Sequence, residues 1–178
     1  MDYVDGIQNK TWRAIYKVII TVQRTVAIIT CIAIPIIVVY QVILRYVLTM
    51  PLMWVDELLV FFIIWLYMIS GSVASEQRNH IECGILTLYI KKEQSMRIFN
   101  MFKSIFSVGI GMWLCYWAWW YFTYSLKCWK TSNVLGLPYF IAESAVFIGF
   151  ILMLFFTIIQ MIDNVRDVIA YRKEAKVQ

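Results

Sequence analysis

Four cysteines, one histidine and a few carboxylates are the side chains of this sequence that could carry catalysis or ligate a metal. Cys31, Cys83, Cys115 and Cys128 form no Cys-x-x-Cys pair, and Cys31 and Cys115 lie inside apolar runs. That spacing favours small apolar fillers over a disulfide framework or a zinc site. His80 is the only histidine, so a haem held between paired axial histidines is excluded. A quinone-linked thiol oxidase needs cysteine pairs facing one side, and only Cys128 is so placed. No nucleophile–base constellation is visible. The chain is expected to be no enzyme, with no metal and no cofactor.

The charged residues have a different message. Arg45, Asp56, Glu57, Glu76, Arg78 and Glu143 all stand at the ends of long apolar runs. No Asp, Glu, Lys or Arg falls near the middle of one. Carriers and pumps place ionisable groups or broken helices at that depth to bind ions and substrate. A stand-alone carrier is therefore not expected.

The elements that position these groups follow from composition. The 178 residues are 62% hydrophobic and 15% charged, with a mean hydropathy of +0.72. An ordinary soluble domain carries about 25% charged residues. Charge-free windows cover Thr25–Leu44, Leu58–Ser75, Ser104–Leu126 and Ser144–Ile162. Each matches the ~20 residues that cross a ~30 Å hydrocarbon core as a helix. Helices also satisfy their own backbone hydrogen bonds where no water can. An all-α membrane protein with four transmembrane helices is expected, as one domain over residues 1–178. Met1 to Gly6 carry two acids and no apolar run. No cleavable signal is expected, and the first span is expected to stay as an anchor.

Orientation follows from the loops. Thirteen Lys and Arg residues lie in the two tails and the central loop, against Arg45, Lys127 and Lys130 on the opposite side. Both termini are therefore expected in the cytoplasm. Membrane headgroups account for the basic loops and the net charge of +5, so no nucleic-acid partner is expected. Gln8–Arg24 and Ile81–Lys103 mix apolar and basic residues. They are expected as amphipathic interfacial helices, with extensions of the spanning helices as the alternative.

Small residues recur four apart in each span: Ala27 and Cys31, Gly71 and Ser75, Ser107, Gly111 and Cys115, Ala145 and Gly149. Such pairs let helices approach closely in lipid. Pro35 should kink the first helix. The third span crowds Trp113, Tyr116, Trp117, Trp119, Trp120 and Tyr124 into its outer half. An interfacial belt and bundle core explain part of this; packing on another protein or on tightly held lipid is the other reading.

The most distinctive stretch covers 37 residues from Arg45 to Ile81. Pro51 ends the turn after the first helix. Trp54 suits an interfacial anchor. Asp56 and Glu57 suit the positive end of the second helix dipole, and Arg45 faces them as a candidate ion-pair partner. Arg78 and His80 suit the opposite, carbonyl end. This pattern resembles the small membrane subunit, the DctQ type, of tripartite ATP-independent periplasmic (TRAP) transporters. In that family an Arg closes helix 1, Trp-x-x-Glu-Leu opens helix 2, a Trp and a Gly follow, and His-Ile comes after. Here these are Arg45, Trp54 with Glu57-Leu58, Trp65, Gly71 and His80-Ile81. The family often carries an acid a few residues after the His; here Glu82 follows Ile81 directly, and Cys83-Gly84 come next.

The resemblance implies a bacterial inner-membrane complex. Its partners would be a large membrane subunit, a periplasmic substrate-binding protein and membrane lipids. Uptake of an organic acid, of the C4-dicarboxylate or sialic acid class, would be driven by sodium. Substrate and sodium would bind the large elevator-type subunit, with this chain as scaffold. Arg45, Trp54, Asp56, Glu57, Trp65, Gly71, Arg78, His80, Trp113, Trp117 and Trp120 are the candidate structural and partner-contact residues. The competing classes are a membrane redox or quinone-linked enzyme and a small homo-oligomeric channel or exporter.

Overall fold

The computed structural model describes residues 10–49, 53–77 and 93–174. Among these residues the fold has four helices: α1 Lys10–Tyr46, α2 Met53–Glu76, α3 Glu93–Cys128 and α4 Phe140–Glu174. All four are long and apolar enough to cross a membrane, and each contains one of the charge-free windows. Three run well past those windows. The 37 residues of α1 reach about 56 Å at 1.5 Å per residue, nearly twice a hydrocarbon core.

That length corrects one expectation. From Lys10 on, the stretch expected as a separate interfacial helix is the first part of α1 itself. Glu93–Lys103 is likewise continuous with α3. Once a helix is nucleated, adding a residue costs little, so the chain continues its helix where the apolar window ends. The segment 78–92 lies outside the described residues. Pro35 sits inside α1 without ending it.

Neighbouring contacts run in the order α1, α2, α4, α3. Sequential helices are antiparallel, and α4 lies between α2 and α3. This leaves α1 and α3 as outer members, with rows of exposed Ile and Val on α1 and of aromatics on α3. Buried apolar contact concentrates where α1 meets α4: Tyr16 and Ile20 pack on Phe156, the Tyr16 and Phe156 rings edge-on at 5.6 Å.

Glycine notches hold α2 and α4 together. A Cβ on Gly149 would lie 2.7 Å from Met68 Cβ and 3.4 Å from its Cα. A Cβ on Gly71 would meet the thioether methyl of Met153. Each helix thus offers a glycine to a methionine of the other. At a third notch, a Cβ on Gly111 of α3 would lie 3.0 Å from Leu154 Cδ1 of α4.

Polar side chains bridge the helices near the end that carries the termini. Gln23 Nε2 donates to Ser72 Oγ at 3.0 Å between α1 and α2, with both residues buried. Arg24 pairs at 3.1 Å with Glu76, one turn nearer that end on α2. Asn164 of α4 donates to Ser104 of α3. Gln23 Oε1 is buried without a hydrogen-bond partner among the described residues. Ser72→Ala should therefore cost about 1 kcal/mol, because it strands the buried amide donor as well. Adding Gln23→Leu to Ser72→Ala should recover most of that loss, since no polar group then stays buried. Thermal unfolding in detergent of the single and double variants measures both effects.

Candidate functional site: the clasp at the connection end

The opposite end of the fold carries the α1–α2 and α3–α4 connections. After α1, the amides of Val47 and Leu48 close back on the Ile43 carbonyl, and Thr49 turns the chain with φ 51°. That conformation is rare for a β-branched residue. Met53 then starts α2, which places Trp54, Val55, Asp56 and Glu57 in its first turns. Val55 is fully buried and Trp54 half-buried.

The α3–α4 connection folds on itself. Ser132 N donates to the Leu137 carbonyl at 2.8 Å, and Tyr139 N to that of Lys130 at 2.9 Å. Thr131 and Pro138 face each other as an isolated antiparallel bridge. Gly136, at φ 66°, makes the reversal. This left-handed region is open to glycine without a Cβ penalty.

Glu57 grips that loop. Its carboxylate accepts the Ser132 hydroxyl, the Leu135 amide at 3.0 Å and the Val134 amide at 3.3 Å. A carboxylate cradled by successive backbone amides is an anion nest, and its hydrogen bonds are charge-assisted. The N-terminal dipole of α2 favours the same charge. One turn on, the Phe61 ring stacks on Tyr139 at 6.2 Å and 10°. Glu57 and Phe61 share one face of α2 and together fix the loop against it.

Asp56 points elsewhere. Its carboxylate accepts from Gln41 Nε2 of α1. The ion pair expected from Arg45 is therefore not formed with either acid: Arg45 is exposed, while Gln41 and the loop occupy the two carboxylates. Beside the loop, Glu143 stands in the first turn of α4.

The remaining candidates are scattered. Trp65 is half-buried within α2, and Gly71 lies at the Met153 notch. Arg78 and His80 lie outside the described residues. Trp113, Trp117 and Trp120 form a chain of touching rings along α3, with centroids 6.4 and 5.9 Å apart. Gln41, Phe61, Ser132 and Tyr139 complete the clasp and were not singled out by sequence. The Gly136-x-Pro138 spacing is the local sequence signal for a turn there, and nothing local marks what that turn binds.

Comparison with known families places this geometry. Residues 34–167 match the family model described as "Tripartite ATP-independent periplasmic transporters, DctQ component". The match contains α2, the clasp, all of α3 and most of α4. No curated protein matches the chain in a direct sequence comparison.

Proposed function

Because the chain belongs to the DctQ-component family of tripartite ATP-independent periplasmic transporters, we propose that it is the non-catalytic small membrane subunit of such a transporter. In this reading it is a fixed scaffold in the bacterial inner membrane, with both termini cytoplasmic and the Glu57 clasp periplasmic. It stands beside a large elevator-type membrane subunit. A periplasmic binding protein delivers an organic acid of the C4-dicarboxylate or sialic acid class, and sodium drives uptake.

One observation carries the scaffold role. The described carboxylates at the ends of the α2 span are engaged within the chain: Glu57 by the α3–α4 loop, Asp56 by Gln41 and Glu76 by Arg24. Side chains committed to joining helices suit a rigid body better than a moving carrier, whose ion sites must exchange partners.

The chain should co-purify in equal amount with a much larger membrane protein when both are expressed together. Reconstituted uptake should need both subunits, the binding protein and a sodium gradient. Recovery only as a stable homo-oligomer would sink the proposal. So would transport by the purified chain alone, or a cofactor absorption band in it.

A further inference from the structure

The outward face of α3 carries a seam that no other helix covers among the described residues. Phe106, Ile110, Trp113, Trp117, Trp120 and Tyr124 follow one another at alternating steps of four and three. All six are between 46% and 73% exposed. The seam lies half a helical turn away from Ser104, Val108, Gly111 and Ala118, which face α4 or are buried. A repeat averaging 3.5 residues keeps a stripe aligned along a second helix, as in a coiled coil. The exposed Ile29, Ile32, Ile36 and Val39 of α1 share that spacing, so what singles out the α3 seam is its aromatic donors.

Depth adds an independent argument. The charge-free window 104–126 is centred on Cys115. Trp113 and Trp117 therefore lie about 3 Å from the centre along the axis, and Tyr116 about 1.5 Å, within a hydrocarbon half-thickness of about 15 Å. Trp and Tyr gather at membrane interfaces because their N–H and O–H find water or headgroups there. At this depth lipid tails offer no acceptor. The indole N–H groups of Trp113 and Trp117 and the hydroxyl of Tyr116 have no hydrogen-bond acceptor among the described residues; their contacts are ring to ring. The exposed row on α1 differs: Ile28, Ile29, Ile32, Ile36 and Val39 are aliphatic and carry no donor, as suits a lipid-facing wall.

We propose that the α3 seam is the docking face for a transmembrane helix of the large membrane subunit, one that presents hydrogen-bond acceptors to Trp113, Tyr116 and Trp117 near mid-bilayer. This rests on the small-subunit reading above. The partner helix would carry small residues, so that its backbone carbonyls or hydroxyl oxygens come within reach of the ring donors.

Photo-crosslinking in the full complex tests it. Benzoylphenylalanine is introduced in turn at positions 113, 117 and 120, and at 32 and 36 of α1 as controls. Adducts with the large subunit are expected from the α3 positions and not from α1. Adducts between two copies of this chain, or with lipid alone, would overturn the assignment. Adducts from α1 instead would overturn it while leaving the subunit reading intact. Failure of the unmodified chain to retain any large subunit would remove both. A second measurement removes the donors and keeps the rings. Trp113→Phe with Trp117→Phe should lower retention of the large subunit about ten-fold, as expected from losing one or two net hydrogen bonds. Unchanged or improved retention, the result for a lipid-facing seam, would overturn the proposal.

Discussion

Glu57→Ala is expected to release the α3–α4 loop from α2 and to lower both assembly and uptake, while the binding protein keeps its affinity for substrate. The variant strands the Ser132 hydroxyl and the Val134 and Leu135 amides, which now converge on one carboxylate. Amide exchange reads this directly. Val134 and Leu135 should exchange at least about ten-fold faster, since local opening sets the rate of a protected amide. Glu57→Gln should fall between, because it keeps acceptor capacity but loses the charge that strengthens each bond. Glu57→Asp should resemble alanine at Leu135, since shortening the side chain by one methylene withdraws an oxygen now 3.0 Å from that amide. Unaltered exchange and uptake in Glu57→Ala would show that the clasp positions nothing that matters.

The second large effect is an asymmetry between two glycines. Gly149→Ala should destabilise the α2–α4 pair by about 1–3 kcal/mol, the usual range for overpacking a filled contact. Its new methyl would press on Met68 Cβ, with the Met68 Cα close behind. Those atoms move only if α2 moves. Gly71→Ala meets the free end of Met153, a thioether with three rotatable bonds that can swing aside. Alanine also improves on glycine within a helix by up to about 1 kcal/mol. Gly71→Ala should therefore be neutral or slightly stabilising. Unfolding of the two variants in the same detergent or bicelle separates them, and an equal or reversed ranking would contradict the notch geometry.

The sequence made the four spans legible because hydrocarbon excludes charge, so apolar windows and spanning helices coincide. It did not mark where helices stop, since beyond the window no such exclusion acts and helical hydrogen bonding simply continues. Lys10–Arg24 shows this: amphipathic in pattern, yet the beginning of α1. The Arg45 pairing failed for a different reason. Asp56 and Glu57 are adjacent in sequence, but successive helical residues point about 100° apart. One therefore faces Gln41 of α1 and the other the α3–α4 loop, whose bonding residues lie 75 to 78 positions away in sequence. Contacts at such separation leave no local pattern. The small-residue pairs were a better guide, because both Gly71 and Gly149 stand at close helix approaches.

The contact order α1, α2, α4, α3 divides the molecule into two hairpins, each held by neighbours in sequence. Each can close on local contacts soon after its second helix enters the membrane, since short loop closures cost least entropy. The join between hairpins must wait for the whole chain, because it needs α4. Three features span that join: the packing of Tyr16 and Ile20 on Phe156, the Gly71 and Gly149 notches within the bilayer, and the Glu57 clasp at its edge. The clasp cannot form until synthesis has passed residue 135, and it then binds a loop belonging to the second hairpin. It is therefore closed only on chains whose halves have found each other.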